Sequence, residues 1–224
     1  MGDEAKRAAG VAAAALVEDG MALGLGTGST VAHFLDALAE RGTSVTGLPT
    51  SEATAARCRE LGIGLLDPVD VTHLDLAVDG ADELTRDLTL TKGGGGALLR
   101  EKVVASLAAR FVVIATPDKV VARLGADFPV PVEVVPFALG PVRHQLTERG
   151  FEVTVRGGDA GYRTDNGNAI LDCRLPGGIE DPAVTELSLG VIPGVAETGL
   201  FVDLATEALL GRDDGEVERL VAPQ

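Results

Sequence analysis

The first half of the chain alternates short apolar runs with longer segments of helical period. The apolar runs, which we interpret as strands, lie at 21–25, 44–48, 62–66, 74–78, 88–91 and 111–115. The segments with helical period lie at 3–19, 31–41, 52–61 and 97–109. Short apolar strands that alternate with helices are typical of parallel sheets covered on both sides. The pattern therefore predicts an α/β fold, a Rossmann-like parallel sheet with helices on both faces.

The pattern changes at the proline-containing segment 128–136. The elements predicted after it are a helix at 138–149, a strand at 151–155, a hairpin turn at 165–168, a helix at 182–189 and a strand at 198–202. This β-α-β-β-α-β succession is typical of a smaller α+β, ferredoxin-like domain. Segment 202–210 is predicted to return to the large sheet. We therefore expect a catalytic domain of residues 1–127 and 203–224, with a smaller domain of residues 128–202 inserted into it.

Composition narrows the class of protein. The chain has 224 residues, of which 46% are apolar and only 3% aromatic, so Ala, Val and Leu must fill the core. No apolar run approaches the roughly 20 residues that cross a bilayer. The charged start of the chain leads directly into an Ala-rich helical segment rather than an apolar signal region. We expect a cytoplasmic protein without membrane association.

The charge balance excludes one class of partner. A net charge of −15 argues against nucleic acid, which requires clustered cations. The chain has 34 acidic residues and 19 basic ones, of which only four are lysine: Lys6, Lys92, Lys102 and Lys119. Such a surface fits a halophilic source, and an ordinary acidic bacterial protein is the alternative. A lysine retained where arginine dominates suggests a need for a compact point charge, and a solvated surface role is the alternative for any one of the four.

A glycine-rich turn follows the first predicted strand. Its sequence is Gly24-Leu25-Gly26-Thr27-Gly28-Ser29-Thr30, and a helix comes next. Backbone N–H groups and hydroxyls at a helix N-terminus form an anion site. The turn lacks the Gly-Lys-Ser/Thr of a P-loop and the third glycine of a dinucleotide fingerprint. A small phosphorylated ligand fits better than NAD, and a capped structural turn remains the alternative.

Carboxylates and a lysine surround a second glycine-rich segment. Asp79 and Asp82 follow a predicted strand, and Lys92 follows another. Four consecutive glycines, 93–96, then lead into a helix that carries Glu101. Such a run is costly to order, so it suggests close backbone approach to a ligand. The carboxyl ends of strands in open α/β sheets bind ligands. These residues predict proton transfer on an anionic substrate, although an acidic turn and a solvated helical Glu are common alternatives.

Histidine and cysteine suggest no other chemistry. His33, His73 and His144 share no metal-ligand spacing, and neither a Ser-His-Asp nor a Cys-His set emerges. Cys58 and Cys173 lie far apart, and we expect both to be small buried hydrophobic residues. These spacings indicate neither a zinc site nor a disulfide framework.

These segments together resemble the A-type ribose-5-phosphate isomerase family. The blocks at 24–30, 79–83 and 92–102 are similar to its three signature blocks, in order and at similar spacing. The similarity continues at 128–134, 164–168 and 192–195. The stretch 156–163 departs from the family pattern, and we interpret it as touching no motif. Thr50, Ser51 and Thr54 vary among relatives, and we assign them no role from the resemblance.

The resemblance implies interconversion of D-ribose 5-phosphate and D-ribulose 5-phosphate through an enediolate, in the non-oxidative pentose phosphate pathway. It also implies that no metal and no organic cofactor takes part. It implies Glu101 as general base, Asp79 and Asp82 as sugar-binding and proton-handling acids, and Lys92 as the oxyanion contact. The further substrate-binding residues that it implies are Thr27, Gly28, Ser29, Thr30, Gly80, Ala81, Gly93, Gly94, Gly95, Lys119 and Lys6. Relatives are usually dimers or tetramers, so a homo-oligomer is expected.

Two other functions stay open. An amino-sugar-phosphate deaminase of the same broad fold would share the anion loop but not the Lys92–Glu101 block. A non-catalytic sugar-phosphate sensor of a transcription regulator would be expected to carry a helix-turn-helix and basic patches. Neither feature is evident in the sequence.

Overall fold

A computed structural model describes residues 2–222. Its strands are β1 (Ala22–Leu25), β2 (Thr46–Pro49), β3 (Gly64–Leu65), β4 (Leu76–Asp79), β5 (Glu83–Leu84), β6 (Leu90–Thr91), β7 (Phe111–Ala115), β8 (Val130–Val134), β9 (Glu152–Val155), β10 (Ala169–Arg174), β11 (Val195–Thr198), β12 (Leu200–Phe201), β13 (Glu207–Gly211) and β14 (Val217–Val221). Its helices are α1 (Asp3–Ala14), α2 (Ser29–Arg41), α3 (Glu52–Glu60), α4 (Leu98–Leu107), α5 (Leu139–Glu148) and α6 (Pro182–Gly190).

Contacts between Cα atoms divide the chain into two compact units. Among the described residues, the larger contains 2–81, 100–120 and 203–222, and the smaller contains 82–99 and 121–202. The predicted division placed 82–99 and 121–127 in the larger part, whereas these segments make most of their contacts within the smaller unit. The difference arises because β5 and β6 are strands of only two residues and carry no periodic signal of their own. They join the smaller unit because β5 pairs with β6 and β6 pairs with β12.

The larger unit is built on a seven-stranded sheet in the order β14-β13-β7-β4-β1-β2-β3. Its strands pair in parallel except for the terminal pair of β13 and β14. The predicted return of the chain to this sheet is confirmed by β13, which pairs with β7. From β1 the chain extends the sheet through β2 and β3, and it then returns to place β4 on the other side of β1. This reversal puts a topological switch point between β1 and β4, the usual ligand position in such sheets.

The first helix ends earlier than its composition predicts. A helix at 3–19 was expected, but α1 ends at Ala14. Beyond Ala14 the backbone hydrogen bonds span three residues instead of four, from Leu16 N to Ala13 O and from Val17 N to Ala14 O. The Arg41 guanidinium donates to the carbonyl oxygens of Ala14 and Val17. Since a helix end needs partners for its last carbonyls, this arginine stabilises the stop.

The smaller unit contains the predicted β-α-β-β-α-β succession, from β8 through α5, β9, β10 and α6 to β11. These four strands form an antiparallel sheet in the order β11-β8-β10-β9. One face carries Val132 and Val134, which pack with Val142 and Leu146 of α5. The ferredoxin-like prediction is confirmed. The predicted turn at 165–168 is also present, closed by bonds between Thr164 and Gly167 and between Thr164 and Asn168.

The predicted strand at 198–202 is two strands in different sheets. Strand β11 pairs with β8, whereas β12 pairs with β6 in a small three-stranded sheet. The change of sheet occurs at Gly199, whose O accepts from Lys92 N. A Cβ at Gly199 would lie 2.3 Å from Lys92 O, so only glycine allows this close passage of the two backbones.

Both cysteines are buried, as predicted. Burial raises the pKa of the Cys173 thiol to about 12, which makes it an inert core residue. Within residues 2–222, no helix has the length and apolar character needed to cross a membrane.

Candidate active site

The loop after β1 enters α2 through a glycine with an unusual backbone. Gly28, the N-cap residue of α2, has a φ of 121°, a conformation that side chains rarely adopt. A Cβ there would meet nothing within 4 Å. The backbone conformation, and not close packing, therefore explains why position 28 is a glycine. Gly28 and Ser29 are exposed at the N-terminus of a helix of more than three turns. This is the geometry of an anion site.

A cluster of hydroxyl groups forms hydrogen bonds with Thr27 and Gly26 of the same loop. Thr27 Oγ1 lies 2.8 Å from both Thr50 Oγ1 and Ser51 Oγ and 3.0 Å from Thr54 Oγ1. Thr54 Oγ1 also donates to Gly26 O at 2.8 Å. Ser51 caps α3 by accepting from Thr54 N, and serine is among the residues preferred at a helix N-cap. Thr50, Ser51 and Thr54 are buried, so they position Thr27 instead of presenting a surface of their own.

Asp79 lies at the end of β4, on the other side of the switch point from this loop. Its Oδ1 accepts from Thr27 N at 3.1 Å and from Gly80 N at 2.7 Å. The side chain is only 3% exposed. A Cβ on Gly26 would lie 2.2 Å from the Asp79 carboxyl group, so glycine at 26 is what lets the carboxylate pack against the loop. The predicted 24–30 motif is thus joined by a direct hydrogen bond to Asp79, the first residue of the predicted 79–83 motif.

The structure brings one distant lysine to this loop. Lys6 is on α1, and its Nζ donates to Ser29 Oγ at 3.0 Å. Lys119 follows Phe111–Ala115, the strand β7 that neighbours β4, and lies in a short 3₁₀ turn, partly exposed. Because β1, β4 and β7 are adjacent and parallel, the loop, Asp79 and Lys119 all follow strand ends at one edge of the sheet.

Glu101 lies in the first turn of α4 and is 6% exposed. Val104, one turn later on the same side of the helix, faces Gly24 of β1, where an added Cβ would lie 2.4 Å from Val104 Cγ1. The α4 crossover runs opposite to the parallel strands, so its N-terminus lies at their carboxyl edge. This contact therefore places Glu101 toward the edge where the 24–30 loop and Asp79 lie.

In the smaller unit, the four glycines form a turn that requires at least two of them. Gly93 and Gly96 have φ values of 101° and 83°, in the left-handed region. A Cβ at Gly94 would lie 2.5 Å from Asp82 Oδ1. Gly95 differs, because a Cβ there would meet nothing within 4 Å. Its bare backbone therefore faces open space, and neither packing nor a left-handed φ accounts for a glycine at this position.

Asp82 and Lys92 flank this turn. Asp82 Oδ2 accepts from Gly94 N at 2.7 Å, so this N–H is already engaged by a neighbouring carboxylate. Lys92 is 2% exposed, and its Nζ lies 5.6 Å from the centroid of the Phe201 ring. An aromatic face offers a cation modest stabilisation inside a protein. Phe201 had no signal in the sequence as a site residue, since its contact with Lys92 depends on the pairing of β12 with β6.

Residues 46–215 match the family described as ribose 5-phosphate isomerase A (phosphoriboisomerase A). The chain belongs to the ribose 5-phosphate isomerase A family. A ribose-5-phosphate isomerase A of Thermomicrobium roseum is 48% identical over 96% of this chain and 93% of that protein. One of Caulobacter vibrioides is 49% identical over 96% of this chain and 97% of that protein.

Solved structures of the ribose 5-phosphate isomerase A family have the same fold. The enzyme from Neisseria gonorrhoeae superposes with a TM-score of 0.94 at 36% identity, covering 100% of this chain and 99% of that one. A D-ribose-5-phosphate isomerase in complex with phospho-erythronic acid has a TM-score of 0.94 at 38% identity, covering 99% of this chain and 100% of that one. The predicted fold class is therefore confirmed.

One prediction about the glycine block was wrong. The stretch 156–163 was expected to touch no motif of the family, but two of its side chains bind the glycine turn. Arg156 Nη1 donates to Gly93 O and Gly94 O, and Tyr162 Oη donates to Gly95 O. The sequence of this stretch gave no signal, because the contacts depend on how the chain returns from β9. Among residues 2–222, no group of three or more His, Cys, Asp or Glu side chains could hold a metal ion.

Proposed function

We propose that Glu101 is the base with which this ribose-5-phosphate isomerase moves a proton between C2 and C1 of its substrate. The reaction interconverts D-ribose 5-phosphate and D-ribulose 5-phosphate. The observation that carries this role is the position of Glu101: a buried carboxylate in the first helical turn after four glycines and a buried lysine. A helix N-terminus favours negative charge, which suits a carboxylate that must start ionised.

The isomerisation needs no external oxidant or reductant. Glu101 takes the C2 proton of the open-chain aldose, and the C–H electron pair forms the C1–C2 double bond of an enediolate. The carboxylic acid then returns the proton to C1, while a second proton moves from the O2 hydroxyl to O1. Asp79 and Asp82 are the candidates for opening the ring and for moving hydroxyl protons. Lys92 is the candidate cation beside the developing oxyanion.

We assign binding of the anionic end of the substrate to the 24–30 loop. Thr27, Gly28, Ser29 and Thr30 provide backbone N–H groups and hydroxyls at the start of α2. Lys6 adds a positive charge at Ser29, 3.0 Å away. This combination of helix N-terminus, hydroxyls and lysine suits a phosphate or another oxygen-rich anion. Gly80, Ala81 and Lys119 are candidates for further substrate contacts at the same sheet edge.

The structural relative with phospho-erythronic acid adds chemical support. That ligand is a phosphorylated sugar acid, so it joins a phosphate to hydroxyls and to a carboxylate. A carboxylate carries two oxygens that share a negative charge, as an enediolate does. A protein with this fold therefore accommodates the chemical groups that the proposal assigns to the reaction.

The activity itself is tested with ribose 5-phosphate as substrate. We expect the chain to form ribulose 5-phosphate, measured by a coupled or chromatographic assay, and to do so equally well in excess EDTA. Binding without turnover would instead support the sugar-phosphate sensor. Release of ammonia from an amino-sugar phosphate, with no turnover of ribose 5-phosphate, would support the deaminase.

Gly95→Ala tests whether the glycine turn lies against the substrate. A methyl group at Gly95 meets no protein atom within 4 Å, so we expect the variant to keep its unfolding temperature. If substrate lies against this bare backbone, the methyl group occupies its space, and kcat/KM should fall about 10-fold or more. The measurement is steady-state kinetics beside thermal unfolding.

The control for this variant is Gly140→Ala. Gly140 of α5 also has no atom within 4 Å of an added Cβ, and it belongs to no candidate site. We expect the control to retain the kcat/KM of the parent. Unchanged kinetics in Gly95→Ala would remove the glycine turn from the substrate site.

The proposal also includes a cytoplasmic homo-oligomer. Support for self-association comes from large apolar side chains that the smaller unit exposes, namely Val135, Phe137, Val184, Leu187 and Val191. On α6, Val184 and Leu187 are three residues apart and so share one side of the helix. Clustered exposed apolar groups are typical of protein interfaces. A halophilic source stays a prediction.

A further inference from the structure

Three consecutive carbonyl groups of the glycine turn accept hydrogen bonds from side chains. Arg156 Nη1 lies 2.8 Å from Gly93 O and 3.2 Å from Gly94 O. Tyr162 Oη lies 3.3 Å from Gly95 O. All of these residues belong to the smaller unit. A turn made of glycine would otherwise have the largest backbone freedom that a chain can have, so these bonds restrict it where restriction is most needed.

Arg156 is itself held in a fixed orientation. Its Nε and Nη2 donate to the two carboxylate oxygens of Asp172, at 3.0 Å and 2.5 Å, in the bidentate geometry of the strongest ion pairs. The two side chains are 16% and 20% exposed. Asp172 lies within β10, where it pairs with Thr154 on one side and Pro131 on the other. Because Asp172 lies in a strand that is paired on both sides, it fixes the guanidinium and leaves Arg156 Nη1 to donate to the glycine carbonyls.

The bonds to the carbonyls also set the directions of the N–H groups. In a trans peptide, the carbonyl oxygen of one residue and the N–H of the next point in opposite directions. When Arg156 holds Gly93 O, it turns Gly94 N–H away from itself, and that N–H donates to Asp82 Oδ2 at 2.7 Å. By the same rule, holding Gly94 O turns Gly95 N–H away from Arg156.

We propose that Arg156, fixed by Asp172, is a positioning residue of the isomerase that orients the Gly93–Gly95 peptides and, through Gly94 N–H, the Asp82 carboxylate. The inference rests on the proposed function, in which Asp82 handles protons and the glycine backbone lies against substrate. Groups that are oriented before the reaction stabilise a transition state without reorganisation. Arg156 acts through the turn and is not assigned a contact with substrate.

The test compares Arg156→Met and Arg156→Lys with a matched control, Arg174→Met. Arg174 belongs to the same sheet, and its guanidinium also donates to two consecutive loop carbonyls, those of Ala126 and Asp127, at 3.1 Å and 3.0 Å. That loop carries no candidate site residue. The control therefore removes the same side chain and the same kind of contact without touching the glycine turn.

We expect Arg156→Met to lower kcat by roughly 10- to 100-fold, the cost of a misplaced catalytic group, with KM changing less than about threefold. Arg156→Lys should recover part of kcat, since an ammonium can still donate to one of the carbonyls. Arg174→Met should keep kcat within about twofold. A kcat in Arg156→Met within twofold of the parent, or an equal loss in Arg174→Met, would overturn the proposal.

A second measurement does not depend on turnover. Hydrogen exchange of the peptide that covers 92–99, followed by mass spectrometry, should accelerate in Arg156→Met and stay unchanged in Arg174→Met. If the parent chain does not turn over ribose 5-phosphate, the proposed function fails, and this exchange still decides whether Arg156 orders the turn. Unchanged exchange in Arg156→Met contradicts the inference even when the parent is fully active.

Discussion

Glu101→Gln is expected to fold like the parent chain and to lose about three or more orders of magnitude in kcat, as for a removed general base. The amide has nearly the shape of the carboxylate but cannot accept the C2 proton. The measurement is the steady-state rate of ribose 5-phosphate isomerisation. In D2O, incorporation of solvent deuterium at the reacting carbons should be lost together with turnover. Near-normal turnover would contradict the role of Glu101.

The control for this variant is Glu52→Gln, the same chemical change on a carboxylate that we give no role in the reaction. Glu52 is exposed, and its Oε1 accepts from Arg100 Nη1, the side chain next to Glu101 on α4, at 2.9 Å. Exposed ion pairs contribute about 1 kcal/mol or less to stability. We therefore expect the control to keep its kcat, and a large loss there would mean that the helix is sensitive to charge in general.

Lys92→Arg is expected to lower kcat/KM by about 10²-fold, although the charge is kept. Lys92 is 2% exposed, its N–H is bonded to Gly199 O, and its Nζ lies over the Phe201 ring. A guanidinium is a wider, planar group that cannot replace a compact ammonium at such a site. Lys92→Met, which keeps the length and removes the charge, should lose about 10²- to 10³-fold in kcat, as for a removed oxyanion contact.

Lys102→Arg provides the comparison for these variants. Lys102 lies on α4 beside Glu101, is partly exposed, and has no assigned role. We expect Lys102→Arg to keep its activity while Lys92→Arg loses it, with the same unfolding temperature for both variants. This result would show that a compact ammonium is required at position 92 itself and not throughout the 92–102 segment. Activity of Lys92→Arg within twofold of the parent would show that a compact charge is not required at this position.

The sequence determined those features that depend on near neighbours in the chain. The alternation of apolar runs and helical segments specified the parallel sheet, because burial on both faces requires apolar strands. The cap at Ser51 and the need for glycine at 93 and 96 are likewise local, since each depends on the conformation of its own residues. The order of Lys92, the glycines and Glu101 along the chain was enough to indicate the chemistry.

Contacts between residues far apart in the chain depend on strand register, which the sequence did not reveal. The bidentate pair of Arg156 and Asp172, the approach of Phe201 to Lys92, and the contact of Lys6 with Ser29 join residues far apart in the chain. A shift of one residue in β10 would move Asp172 to the opposite face of its sheet and remove the support of Arg156. No local pattern carries that information, because pairing energies of whole strands fix the register. The sequence by itself therefore determined the sheet, the turn and the order of the candidate catalytic residues, and only the tertiary structure decided which distant side chains hold them in place.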